Sequence, residues 1–255
     1  MKLIINGDDF GISRACNLGI IDCFNHGVLT STSIMINMPH AEDAIKLWEA
    51  NPKLSVGLHL NITLGYPVNK KTKSILKEDG TFNKAILNDS SNQINLVEIA
   101  QECQAQVDRF IQLTGKIPDH INSHHGIEAI YGGSQIIQEL ANRYDLPIRQ
   151  LTFVNKNECF KEIIHRTMPI QKMLTVPSSN IADTINLFSQ EELNSDGYFE
   201  LIGHPGYIDY ELTQLSSLTI GRCVDIKCFC AEELKNWIKQ NHIELISYKD
   251  LPKKY

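Results

Sequence analysis

The stretch Ile4-Ile5-Asn6-Gly7-Asp8-Asp9-Phe10-Gly11, "IINGDDFG", sets the problem on which the reading of this chain turns. Leu3, Ile4 and Ile5 are an apolar run too short for a helix and rich in β-branched side chains, which predicts a buried strand. Two adjacent aspartates follow it. Neighbouring carboxylates repel each other unless a positive charge stands between them, and a metal ion would supply one. The alternative is a polar turn in which Asp8 or Asp9 caps the next helix.

Outward from this strand, the spacing predicts a helix from Ser13 to His26, capped by Ser13 and stopped at Gly27. A strand over residues 29–37, a helix over 41–51 and a strand over 54–62 follow. Leu96–Thr114 carries Val97, Ala100, Val107, Phe110 and Ile111 at helical spacing and closes on Gly115. A short strand in "DHINSHHG", a helix over 134–145 and a strand over 147–153 come next. At least one helix near 180–190, a strand in "YFELIGHPG", a helix over 231–241 and a strand over 243–248 complete the order. Strands and helices alternate with few hairpin turns, which predicts an α/β architecture with parallel strands in a single domain spanning residues 1–255. Residues 65–93 are polar, and a loop of that length inside a compact domain is usually functional or disordered.

The chain has 255 residues and a net charge of -6, with no long block of like charge, so nucleic-acid binding has no electrostatic support. Its apolar runs fall well short of a membrane span of about 18 residues. The seven cysteines are odd in number and scattered, which predicts free thiols and a cytoplasmic setting rather than a disulfide framework. Cys223, Cys228 and Cys230 lack the paired spacing of a structural zinc site and read as buried structural thiols.

Polar residues gather at strand ends. Asp8 and Asp9 follow the first strand, His59 lies near the end of the third, His124 and His125 follow "DHINS", and His204 follows "YFELIG". In a parallel α/β sheet or barrel these ends open on one face, where active sites lie. Singly, His59 between Leu58 and Leu60 could be a satisfied core histidine, and His124, His125 and His204 could be turn residues. Together, a carboxylate with several imidazoles is the donor set of a hydrolytic metal centre.

"NGDDFGIS", "TSTSIMINMP", "VGLHLNITLG", "DHINSHH" and "GHPGYID", in this order from residue 1 to about 250, resemble the YdjC-like carbohydrate deacetylases. The resemblance implies a (β/α) barrel-like fold related to the TIM barrel and the removal of acetyl groups from N-acetylated, chitooligosaccharide-like sugars. It implies one divalent metal held by Asp9, His59 and His124. That metal is commonly magnesium, although an Asp-His-His donor set also suits zinc. Asp8 matches the general base and His204 the general acid, while His125 and Arg149 are expected to contact substrate. A homodimer is expected.

Two departures stand out. The family usually reads Asp-Ser-His-His-His-x-His where this chain has Asn122-Ser123-His124-His125-Gly126-Ile127-Glu128, and Gly7 stands where alanine is usual. A hydrolase of another amide or a phosphoester, or a silent sugar-binding protein, are the alternatives. Residues 65–93 are expected to cover part of the substrate cleft, with Tyr66 and Pro67 fixing where they leave the strand. Lys70, Lys71 and Lys73 would meet an anionic sugar or solvent.

Overall fold

A computed structural model describes residues 1–88, 94–149, 170–176 and 181–252, and its first strand is longer than the sequence suggests. Strand β1 (Lys2–Phe10) runs through both aspartates instead of ending before them. Against β2 (Ser31–Ile34), Gly7 pairs with Thr32 and Phe10 with Ile34, so β1 carries one extra residue at the Asp8-Asp9 step. Asp9 takes up this bulge with a left-handed φ of 71°. A regular strand alternates its side chains between faces, and a bulge breaks that alternation and re-aims one of them. Aspartate is among the few L residues that visit this region readily. The capping role falls to Ser13, whose side chain accepts from the Cys16 N–H at 3.2 Å and starts α1 (Arg14–His26).

The described residues fall into two compact units. The first comprises Met1–Ile34, Pro39–Val56 and Pro169–Tyr255. There β1 lies between parallel partners, pairing with β2, with β6 (Tyr198–Gly203) and with β7 (Glu244–Ile246), while β5 (Ile170–Thr175) pairs with β6. Parallel neighbours need crossover connections, and α1, α2 (Ala41–Ala50), α7 (Tyr210–Leu215), α8 (Ile220–Phe229) and α9 (Glu232–Gln240) lie on them. Every residue of β1 after Lys2 is buried, as expected for a strand covered on both faces. Leu3, Ile4, Ile5, Phe10, Ile20, Leu201 and Phe229 form the core of this unit.

The second unit comprises Met35–Met38 and Gly57–Met168. It contains the C-terminal part of β3 (Ser55–Leu60), which pairs in parallel with β4 (Ile121–Ser123), and the helices α3 (Leu96–Thr114) and α4 (Gly133–Tyr144). Helix α3 has the expected bounds: the Asn95 side chain caps its start, and Gly115, at φ 66°, closes it with an N–H bond to Ile111. The strand order is β4-β3-β2-β1-β6-β5, with β7 beside β1. This parallel sheet with helices around it is the barrel-like α/β architecture that the sequence predicts.

Several elements differ from expectation. Where a strand was expected over 147–153, Ile148 makes an isolated bridge to Ile121, and residues 150–153 lie outside the described ones. The expectation of at least one helix near 180–190 is met by two short ones, α5 (Ile181–Ile185) and α6 (Gln190–Leu193). Strand β5 and helices α7 and α8 have no counterpart in the sequence reading. Helix α8 hides because its inward face holds Arg222 and Asp225 beside Ile226 and Phe229, which breaks the apolar stripe that marks a helix. No helix among the described residues is long and apolar enough to cross a membrane.

The polar excursion after β3 is tied down by side chains rather than by Tyr66, which is 60% exposed. Gln106 on α3 accepts from the Asn61 N–H and donates to the Asn61 carbonyl. The fully buried Glu102 accepts from the Val68 and Asn69 N–H groups at 3.0 and 2.8 Å. Asn37 donates to the Leu64 and Tyr66 carbonyls. Lys70, Lys71 and Lys73 are exposed on this excursion. Residues 89–93 of it lie outside the described ones.

Candidate metal centre

The two aspartates of β1 are held by different neighbours. Asp8 Oδ1 accepts from Asn6 Nδ2 at 2.8 Å and from the Ser33 hydroxyl of β2 at 3.0 Å. Asn6 and Asp8 stand two residues apart and so share a face of the strand. Asp9 lies beyond the bulge, and Arg222 Nη2 of α8 donates to its Oδ2 at 2.6 Å, with both side chains almost fully buried. Burial works against the charge on Arg222, and the Asp9 carboxylate, together with Cys16 and Asp225, more than offsets it, so the guanidinium pKa is raised. The repulsion between adjacent carboxylates is thus met on one side by neutral donors and on the other by a full positive charge.

In the second unit, His59 is buried on β3 and its Nδ1 lies 2.7 Å from Asn122 Oδ1 on the neighbouring β4. An amide oxygen only accepts, so His59 carries its proton on Nδ1 and its lone pair on Nε2, the tautomer ready for a metal. The His124 N–H donates to the Leu60 carbonyl at 2.8 Å, which continues the β3–β4 ladder and buries this side chain too. The rings of His59 and His124 meet edge to face with centroids 5.4 Å apart. Asp9 in the first unit, and His59 and His124 in the second, are each buried and each offer a ligand atom. A carboxylate and two imidazoles fit a divalent ion in chemistry.

The remaining expected residues divide. The His125 ring lies tilted by 44° against that of His124 with centroids 3.8 Å apart, and its nitrogens lie 2.9 Å from Thr63 Oγ1 and 3.3 Å from Lys84 Nζ. The excursion after β3 therefore reaches the histidine pair through Thr63 and Lys84. Arg149 is buried and donates its N–H to the Ile121 carbonyl, beside β4. His204 follows β6 and is half-buried, and its N–H donates to Asp225 Oδ2 of α8 at 2.8 Å.

Both departures from the family pattern have a local cause. Gly126 has a left-handed φ of 77°, which a histidine would adopt only under strain, and Glu128 turns back to accept from the Ser123 hydroxyl. At Gly7 a Cβ would lie 2.8 Å from Leu29 Cδ1 and 3.1 Å from Pro205 Cγ, so those two side chains fill the space that alanine would take. The sequence reading did not include Arg222, Asp225, Ser33, Asn6 or Asn122 as supports. Only Asn122 had a sequence sign, its place at the head of the histidine motif.

A family model described as YdjC-like protein matches residues 2–240. A carbohydrate deacetylase of Clostridium beijerinckii is 35% identical over 251 residues, covering 98% of this chain and all of that protein. Carbohydrate deacetylase 2 of Listeria innocua is 35% identical over 256 residues and covers both chains completely. An Enterococcus faecalis crystal structure, described as a cellobiose-phosphate cleavage protein, superposes with a TM-score of 0.86 at 30% identity, covering 97% of each chain. A peptidoglycan N-acetylglucosamine deacetylase superposes at TM-score 0.53 and 12% identity, which is a likeness of fold alone.

Proposed function

We propose that this chain, which belongs to the YdjC-like protein family, is a metal-dependent hydrolase that removes acetyl groups from N-acetylated sugars, acting as one domain over its whole length. The observation that carries the reading is the buried pair His59 and His124, rings 5.4 Å apart, with the buried carboxylate Asp9 as the third donor type, in a chain whose full-length relatives are named carbohydrate deacetylases. Asp9, His59 and His124 would hold the ion. When bound, a divalent metal supplies Lewis-acid polarisation of the acetamide carbonyl and of a water molecule.

The chain's own groups do the proton work. Asp8 takes a proton from the attacking water, and its Asn6 and Ser33 partners hold it in place. His204 gives a proton to the departing amine, on a backbone fixed by Asp225. His125 and Arg149 orient the sugar. The family resemblance favours magnesium, whereas two imidazole donors suit zinc, and metal analysis of the purified protein decides between them. The same resemblance favours a homodimer, and the scattered cysteines favour a cytoplasmic setting, which sedimentation and fractionation test.

Acetate release from a panel of N-acetylated sugars is the direct test. The protein should release stoichiometric acetate from a chitooligosaccharide, while His59→Ala should lose both metal and turnover and keep its circular-dichroism spectrum. Full metal occupancy in His59→Ala would overturn the ligand assignment. Release of phosphate instead of acetate would overturn the reaction.

A further inference from the structure

We propose that Cys23 and Cys230 are a thiol-oxidation site, forming a reversible disulfide with a peroxide-class oxidant, and that this crosslink lowers turnover at the metal centre. Cys23 sits near the end of α1 and is buried, while Cys230 follows α8 directly and is half-buried. Their sulfurs are hydrogen-bonded at 3.9 Å although the residues are 207 apart in sequence. The two thiols are chemically unequal. The bond between them and burial hold the Cys23 thiol protonated, whereas the same bond, against burial, lowers the Cys230 pKa to about 7. By contrast, burial raises the thiols of Cys16, Cys103 and Cys228. Thiolate character and access together mark a reactive cysteine, and a second thiol in contact marks one that can resolve it.

The chemistry balances with hydrogen peroxide as the oxidant. The Cys230 thiolate attacks one peroxide oxygen, the O–O bond breaks, and the sulfur becomes a sulfenic acid as hydroxide leaves and is protonated to water. Cys23 then gives up its proton, and its sulfur displaces hydroxide from the Cys230 sulfur, forming the S–S bond and a second water. Two thiols lose two electrons in all, and one peroxide becomes two waters.

The crosslink has a route to the centre. The sulfurs must close from 3.9 Å to a bond of about 2.05 Å. The ends of α1 and α8 have little slack to absorb this, since the Val28 N–H already donates to the Phe229 carbonyl at 3.0 Å. A Cβ at Gly27 would lie 2.5 Å from that same carbonyl oxygen. Closure therefore moves α8, which carries Arg222 against Asp9 and Asp225 against the His204 backbone. The effect on turnover rests on the deacetylase reading, whereas the crosslink itself does not.

The test treats the full-length protein with hydrogen peroxide and maps its peptides by mass spectrometry without reduction. A linked Cys23–Cys230 peptide pair, released by dithiothreitol and absent from Cys230→Ser, is expected. In Cys23→Ser, Cys230 should pass on to sulfinic acid because nothing resolves it. A wild-type protein in which Cys230 is over-oxidised with no link to Cys23 overturns the proposal. Acetate release from the oxidised protein should fall by about tenfold, the low end of what disturbing the groups behind a metal site costs. It should return with dithiothreitol, and Cys230→Ser should keep its basal rate and ignore peroxide. A crosslink that forms with the rate unchanged overturns the coupling to the centre.

Discussion

The carboxylate end and the imidazole end of the proposed metal centre are built on different physics. Asp9 is fixed by a buried guanidinium that arrives from α8, 213 residues away in sequence, and the contact is ion to ion. His59 is fixed by a neutral amide on the adjacent strand, 63 residues away, across a ladder the backbone already forms. A buried ion pair is strongly coupled because either partner alone is a charge without water, while a neutral hydrogen bond sets direction at lower stakes. The carboxylate end should therefore report damage as lost stability, and the imidazole end as lost metal affinity.

The sharpest way to break that contrast is Arg222→Met. Removing one partner of a buried pair leaves an uncompensated charge, a loss of about 3–5 kcal/mol, and the metal-free protein should show it in urea denaturation. A loss below about 1 kcal/mol would place the pair in the class of surface ion pairs and end the contrast. Added metal should recover part of the loss, since a cation at Asp9 replaces the missing charge.

Within the carboxylate end, Asp8 and Asp9 should part company. Asp8→Asn keeps an oxygen that can accept from Asn6 and Ser33 but is no longer a base. Turnover should fall by about 10²–10⁴-fold at full metal occupancy. Asp9→Asn should instead weaken metal binding, measured by calorimetry. Equal metal affinity in the two variants would remove the division of roles.

At the imidazole end, Asn122→Ala frees the His59 ring to turn and to change tautomer. Metal affinity should drop by about 10–100-fold with little change in urea midpoint. A midpoint shift as large as that of Arg222→Met would show the two ends to be alike. The smallest effect should come from Gly7→Ala. Its new methyl meets the tip of Leu29, which can move, and the ring of Pro205, which cannot. A loss of about 1–2 kcal/mol is expected, within the usual range for added volume in a packed core.

Strand-end residues pointed to candidate ligands in the sequence because parallel strands share a direction. Asp8, Asp9, His59, His124, His125 and His204 could be placed on one face from the order of elements, and the family resemblance chose Asp9, His59 and His124 among them. Their supports could not. Arg222 and Asp225 lie in a helix that their own polarity conceals from a pattern search, and nothing local to residues 220–229 says that an arginine there meets an aspartate at position 9. Similarly, Gly126 and Glu128 read as losses from a histidine motif until the left-handed turn and the Ser123 contact show what they do instead.

What the sequence determined by itself was thus short-range and periodic. The cap at Ser13, the bounds of α3, the parallel α/β order and the polar residues at strand ends all follow from contacts within a few residues or from a repeating face. Tertiary structure decided how two adjacent aspartates differ. The pairing of β1 with β2 forces one extra residue into the strand at that step, and Asp9 takes the left-handed turn that absorbs it. Register between strands and the docking of α8 are long-range packing solutions, so no window of sequence around "GDDF" contains the information that points one carboxylate at Ser33 and the other at Arg222.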